Sequence, residues 1–273
     1  MWRMKWIERF RARTARKPVV SVIRLDGVIS AGGGVGRAGL SDAGTAERIE
    51  RAFKVKRLAA VALVINSPGG SPAQSALIAA RIRRLAEEKD VPVYAFCEDV
   101  AASGGYWLAC AGDTIYADAN SVVGSIGVIS ASFGLHEFIA RYGIERRVHT
   151  AGEDKSMLDP FRPEREEDVV RLKALQKDIH DNFIAHVKAR RGNRLADRDL
   201  FTGEIWVGQR AQEVGLIDGI GHVVPTMKDL FGDDVRFNVT RQRRPLLSRL
   251  GMPGAEALVG AVEERTLWQR YGL

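Results

Sequence analysis

Two glycine-rich stretches hold the groups best suited to chemistry. Asn66-Ser67-Pro68-Gly69-Gly70-Ser71 follows an apolar run and opens a helical pattern, and Asp99-Val100-Ala101-Ala102-Ser103-Gly104-Gly105-Tyr106 repeats that arrangement after the next apolar run. Glycines at such a turn leave backbone N–H groups free near the positive end of a helix dipole, where they can hold an oxyanion. Ser103 beside them offers a hydroxyl nucleophile once a base takes its proton. Each feature also has a plainer use. The first stretch serves equally as a tight strand-to-helix turn, and Ser103 equally as a helix N-cap. The pairing shifts the balance, because glycine-rich turns after successive strands set their amides side by side at the carboxyl edge of a sheet.

A nucleophilic serine needs a base, and the usual partner is histidine. The five histidines stand at 136, 149, 180, 186 and 222, none of them in a glycine-rich loop. His180 and His186 fall in a long helical segment, His136 in an amphipathic one and His222 just past a glycine turn, so each reads as a surface or packing residue. A lysine serves only if burial or a like charge brings its pKa down from about 10.4. Lys155 stands in Ala151-Gly152-Glu153-Asp154-Lys155-Ser156 beside two acids, which must point away for that to happen; on its residues alone this loop reads as solvated. Cys97 and Cys110 form neither a CxxC pair nor a disulfide framework and read as small buried apolar residues. No metal and no cofactor are expected.

The elements that would position these groups alternate. Val19 to Leu25 reads as a strand, Asp42 to Lys56 as a helix, and Ala59 to Ile65, apolar without alternation, as a strand covered on both faces. A turn at Ser67 to Pro72, a helix over Ala73 to Glu88 and a strand at Pro92 to Phe96 complete a βαβ unit. Further on come Ala101 to Ala111, apolar pieces near Ile115 and Val128, a helix at Leu135 to Tyr142, a strand near Arg146 to His149, and a long helix from Glu164 to Arg190. The alternation predicts an α/β fold.

Composition bounds the class. The chain of 273 residues is 45% hydrophobic and 27% charged, which suits a globular protein with a full core and excludes a disordered chain or a membrane bundle. Its longest apolar run, Leu58 to Ile65, is eight residues, far short of the roughly 20 that cross a bilayer, so no transmembrane helix is expected. Residues 1–17 hold seven basic side chains and one acid, which accounts for most of the net charge of +7. No nucleic-acid partner is expected, since the second basic cluster, Arg236, Arg241, Arg243 and Arg244, is offset by acids elsewhere. Trp2, Trp6 and Phe10 recur every fourth residue with Ile7 beside them and Lys5, Arg9 and Arg13 adjoining, a basic amphipathic helix suited to a membrane surface or a neighbouring subunit. Arginines interrupt any continuous apolar stretch there, so no Sec-type signal is expected, and the chain is placed in the cytoplasm or peripherally on a membrane.

Five stretches together resemble the signal peptide peptidase A group of serine proteases and its shorter SohB-like members, peptidase family S49, within the Clp-protease/crotonase superfamily. They are INSPGGSP at 65–72, DVAASGGYWLA at 99–109, VVGSIGV at 122–128, TAGEDK ending at Lys155, and FTGEIWVGQRAQEVGLIDGIG at 201–221. The resemblance implies a spiral of ββα units with a mostly parallel sheet in a single peptidase domain, residues 18–240, between the basic segment 1–17 and a partly helical tail, 241–273. It implies a serine endopeptidase in which Ser103 is the nucleophile, Lys155 the general base, Gly70 and Gly104 the oxyanion-hole amides and Ser125 the group that orients the lysine. By it, the substrates are largely apolar peptides such as signal-peptide remnants or membrane-protein fragments. The working form is a ring-like homo-oligomer in which neighbouring chains share catalytic residues. Two other classes compete: a crotonase-type acyl-CoA enzyme with the same sheet-edge oxyanion hole, disfavoured by the presence of both Ser103 and Lys155, and a non-catalytic membrane-associated scaffold.

Overall fold

A computed structural model describes residues 17–31, 39–240 and 265–272. β1 (Val19–Asp26) and β2 (Leu58–Ser67) are runs of branched and small apolar residues, almost wholly buried, as neighbouring parallel strands require. Between them α1 (Asp42–Phe53) begins at Ser41, whose hydroxyl accepts the Gly44 N–H. After β2, α2 (Pro72–Lys89) begins at Ser71, which accepts from the Gln74 N–H, carries proline in its first turn and ends at Asp90 in the left-handed region. These are the caps that such helix ends call for. The chain continues through β3 (Val93–Ala102), α3 (Gly104–Ala109), β4 (Thr114–Ala117), β5 (Val122–Gly124), α4 (His136–Arg141) and the long α5 (Glu166–Arg191). It then adds β6 (Ile205–Val207), α6 (Gly208–Glu213), β7 (Gly219–Ile220), α7 (Val223–Phe231) and β8 (Arg236–Thr240).

The sheet runs β6-β5-β3-β2-β1-β8, with β4 bridging β3 and β7. Every pairing is parallel except β5 with β6. β3 gives its first half, Tyr94–Cys97, to β4 and its last residues, Val100–Ala102, to β5. One strand thus feeds two neighbours in turn, the spiral of ββα units that the motifs implied. One face of the sheet packs Val20, Val22, Ala60, Ala62, Val64 and Phe96 against Met227 of α7. The alternate residues Ile23, Leu25, Leu63 and Ile65 are fully buried on the other side, as strand pleating dictates.

The chain divides into two compact units. One comprises the chain up to Ile126 together with the chain from His186 onward, and holds the sheet; the other is Gly127–Ala185, with α4 and most of α5. The strand expected near Arg146–His149 does not form. Its arginines instead pair with Asp159 and Glu145, and no strand among the described residues lies beside it. The apolar piece near Val128 also forms no element. Cys97 and Cys110 are both free and buried, and burial pushes each thiol up to about 12.

Under α3 lies a buried ion pair. Arg191, whose side chain is 1% exposed, donates to Asp218 at 2.7 and 3.1 Å and to the Gly215 carbonyl at 3.0 and 2.7 Å. Burial alone would raise the Asp218 carboxyl, but hydrogen bonds from Arg191 and from the Ile115 N–H hold it below its ordinary value. A depressed carboxylate contributes stability above its unfolded pKa of about 3.9 and loses it as pH falls through the folded value. Asp218→Asn, which leaves Arg191 without its counter-charge, is expected to cost about 3 kcal/mol in chemical denaturation at pH 7. The gap between the two proteins should shrink as the pH is taken below about 4.

Candidate active site

At the end of β3 the chain turns sharply at Ser103 into α3. Ser103 adopts φ 53° and ψ −122°, a backbone state that costs a non-glycine residue about 1–3 kcal/mol. It is held there from both sides. Its N–H donates to the Gly124 carbonyl at 2.8 Å, and its carbonyl accepts the Tyr106 and Trp107 N–H groups at 2.9 and 3.0 Å. All six residues of α3 are buried. Although Ser103 occupies the N-cap position, its hydroxyl makes no capping hydrogen bond, so the plainer use of this serine is not the one the fold makes of it.

The other glycine-rich loop is wedged against this turn. Gly69 has φ 98°, and a methyl group on it would lie 2.7 Å from the Gly104 nitrogen and 2.8 Å from both the Ala102 oxygen and the Ser103 Cβ. A methyl on Gly105 would meet the Ser67 carbonyl at 2.4 Å. The two loops therefore touch backbone to backbone, as their order in the chain suggested. Gly70, at φ 139°, bridges to Ile29, with the Ser71 N–H donating to the Ile29 carbonyl and the Ile29 N–H to the Gly69 carbonyl, both at 2.8 Å. Among the described residues neither the Gly70 nor the Gly104 N–H has an acceptor, and Gly70 faces solvent. The arrangement offers a hydroxyl on a strained turn with uncommitted amides next to it, the combination that receives a developing oxyanion.

Ser125 follows Gly124 directly, at φ 51° with its N–H donating to the Glu204 carbonyl at 2.8 Å. Its Oγ is 3.5 Å from the Tyr271 hydroxyl, which is also 3.5 Å from the Pro68 carbonyl. Nothing in the sequence pointed to Tyr271, since its place depends on contacts 146 and 203 residues away. Ser103, Gly70, Gly104 and Ser125 all belong to the sheet-bearing unit. Lys155 belongs to the other, in a single turn of 3-10 helix over Glu153–Ser156, and is exposed. Its neighbour Asp154 is engaged by Arg171.

The six-residue α3 is fastened along its length and just past its C-terminal end. Arg190 donates to the Cys110 and Gly112 carbonyls at 2.8 and 3.1 Å, and Arg83 to the Ala111 carbonyl at 3.1 Å. The Tyr106 hydroxyl donates to the Leu216 carbonyl at 2.7 Å. His186 stacks on Trp107 at 4.7 Å with Nε2 3.2 Å from the Trp107 carbonyl oxygen, and burial lowers its pKa. It is a packing residue, as expected. Among the described residues no His, Cys, Asp or Glu cluster could hold a metal ion, and no helix is long and apolar enough to cross a membrane.

The chain is similar to known proteins in sequence and in fold. The family model for peptidase family S49 matches residues 85–231. The chain is 49% identical over 282 residues to a Brucella melitensis protein named Na(+)/H(+) antiporter NhaA, covering 97% of this chain and 38% of that one. It is 31% identical over 207 residues to the chloroplastic serine protease SPPA of Arabidopsis thaliana, covering 71% of this chain and 30% of that one. It therefore spans well under half of either relative. A solved structure of the 1510-N membrane-bound stomatin-specific protease, a lysine-to-alanine mutant in complex with a substrate peptide, is similar with a TM-score of 0.50 and 14% identity, over 86% of this chain and 96% of that one. That likeness is one of fold.

The strain at Ser103 is measurable. Alanine there inherits the unfavourable φ and ψ, whereas glycine adopts them freely at some entropic cost in the unfolded chain. Ser103→Gly is expected to be more stable than Ser103→Ala by about 1 kcal/mol in urea denaturation. Elsewhere in a fold glycine is ordinarily the weaker of the two, so the reverse order would show that the turn is unstrained.

Proposed function

The chain belongs to peptidase family S49, and on that footing we propose that it is a serine endopeptidase working through a Ser103/Lys155 dyad. The neutral Lys155 amine takes the proton from the Ser103 hydroxyl as Oγ attacks the scissile carbonyl. The tetrahedral oxyanion accepts hydrogen bonds from the Gly70 and Gly104 amides. Lys155 then passes its proton to the departing amine, leaving an acyl group on Ser103. A water that gives its proton to Lys155 displaces that acyl group and restores the serine. Ser125 accepts a hydrogen bond from the lysine and aims it. The observation that carries this reading is the Ser103 turn: a strained strand-to-helix elbow whose hydroxyl makes no capping hydrogen bond, pressed against a glycine loop in which Gly70 is exposed.

A lysine that acts as base needs burial or a like charge to become neutral, and Lys155 is exposed in the single chain with Glu153 and Asp154 beside it in sequence. Its unit also exposes Ile129, Phe133, Phe138, Tyr142 and Ile144 at 55–84%, more large apolar surface than one short segment ordinarily leaves in water. We assign this surface to contact with a second copy, closing a ring in which one chain's Lys155 serves its neighbour's Ser103. The substrates are extended, largely apolar peptides from membrane proteins. That assignment is supported by a fold neighbour named as a membrane-bound stomatin-specific protease. The membrane-surface role of residues 1–17 falls almost entirely outside the described residues.

Intact-mass spectrometry after reaction with a fluorophosphonate should find one adduct per chain, mapped to Ser103. Ser103→Ala should be folded, unlabelled and inactive; Lys155→Arg should be inactive too, because arginine does not release its proton. An adduct elsewhere, or peptide hydrolysis by Ser103→Ala, would end the dyad reading. Sharing between chains is tested by complementation. Mixing Ser103→Ala and Lys155→Ala subunits under conditions of exchange should restore activity, and a mixture that stays inactive despite proven exchange refutes the shared site.

A further inference from the structure

The two loops are joined by more than glycine contact. Along their shared edge β2 advances from Ile65 to Ser67 while β3 advances from Cys97 to Ala101, so β3 bulges over Glu98–Val100 opposite the single residue Asn66. A bulge of this kind breaks the ladder and leaves backbone groups without strand partners. The Asn66 side chain fills the gap. Its Oδ1 accepts the Val100 N–H at 3.2 Å, and its Nδ2 donates to Asp99 Oδ2 at 2.6 Å. The backbone N–H can only donate, so the amide is oriented unambiguously and its NH2 group faces the carboxylate. Asn66 is held from the other side as well, its carbonyl accepting the Gly27 N–H at 2.9 Å. The remaining bulge residue, Glu98, is bound by Arg24 at 3.1 and 2.5 Å, and Arg24 also grips Asp26 at the end of β1.

This tie sits at the root of both loops. Asn66 begins the stretch that carries Gly70, and Asp99 begins the one that carries Ser103. We propose that Asn66 and Asp99 are a positioning pair, whose amide-to-carboxylate contact sets the separation between the Gly70 amide and the Ser103 Oγ and thereby the rate of acylation. The proposal rests on the reading of Ser103 as nucleophile. Neither residue touches the reacting atoms; both act through where the loops stand. The task calls for an amide at Asn66, because one side chain must accept from Val100 and donate to Asp99 at once. Aspartate there would keep the first contact and turn the second into repulsion between carboxylates. A displacement of about 1 Å at a reacting centre costs roughly 100-fold in rate.

The test uses the full chain and its rate of reaction with a fluorophosphonate, scaled to the folded fraction, alongside the thermal midpoint. Asn66→Asp is expected to slow labelling about 100-fold. Asp99→Asn alone is expected to be mild, since its side-chain oxygen still accepts. The double variant Asn66→Asp/Asp99→Asn exchanges donor and acceptor across the same contact and should recover about tenfold or more of the loss, the coupling found between residues in direct contact. The proposal is overturned if Asn66→Asp is labelled at the parent rate, if the double variant is as slow as Asn66→Asp, or if the substitutions lower the midpoint while labelling per folded molecule is unchanged. A parent chain that is not labelled at all overturns the nucleophile reading, and this proposal with it, whereas a labelled parent with an unaffected Asn66→Asp overturns the positioning pair alone.

Discussion

There is no room for a side chain between Gly69 and Ser103, and the rest of the site depends on that. With the Gly69 Cα against the Gly104 nitrogen and the Ser103 Cβ, the loop after β2 and the turn after β3 act as one rigid piece. Gly105 on the Ser67 carbonyl and Gly70 on the Ile29 carbonyl repeat the arrangement one step to either side. Backbone amides held this closely need no rearrangement when negative charge develops beside them, which is where most of the catalytic benefit of such donors lies. The close approach also explains why Ser103 is driven out of ordinary φ and ψ: the strand must end and the helix begin within one residue, because the next two are already locked against the neighbouring loop.

Strain of that size needs a counterweight, and α3 is too short to supply it, since a helix of six residues is unstable on its own. The counterweight comes from arginines far away in the chain. Arg83 on α2 and Arg190 at the end of α5 take up carbonyls at the C-terminal end of α3, while Arg191 and Asp218 support the segment whose Leu216 carbonyl accepts the Tyr106 hydroxyl. The planar, multiply donating guanidinium suits this work, reaching a carbonyl and a carboxylate together where an ammonium would serve as a point charge. The buried pair is therefore best understood as part of the frame of the active turn.

Features that depend on near neighbours in sequence were legible in it. The unalternating apolar run of β2, the helical pattern after each apolar run and the glycines at both loops each act within a few residues, and their physical effect can be stated without the fold. Contacts between distant segments were not legible. β8 is a mostly exposed strand of five residues whose place beside β1 is decided by pairing across the whole domain. β6 and β7 are too short to show a period. The segment Arg146–His149 was expected to be a strand, but its arginines find carboxylates and no strand among the described residues stands beside it. At the site, the two glycine-rich loops and Ser103 stood out by type and spacing, and the choice of Gly70 and Gly104 within them came from the family resemblance. The Asn66–Asp99 contact did not, because it repairs a bulge that only the pairing of β2 with β3 creates.

The division into two units has a chemical logic under the proposed mechanism. Nucleophile and oxyanion amides must keep their mutual geometry to a fraction of an ångström, and they sit on the sheet, where every strand is braced by its neighbours. The base has a different requirement. It must be stripped of water to become neutral, yet it must not be buried so permanently that the chain cannot fold with a charged lysine in place. Carrying Lys155 on a separate unit whose large apolar residues are exposed reconciles the two demands, since the lysine folds solvated and loses its water only when that apolar surface is covered. Under the proposed mechanism assembly and activation are the same event, because the Gly70 and Gly104 amides are already in place on the sheet while Lys155 is still solvated in the single chain.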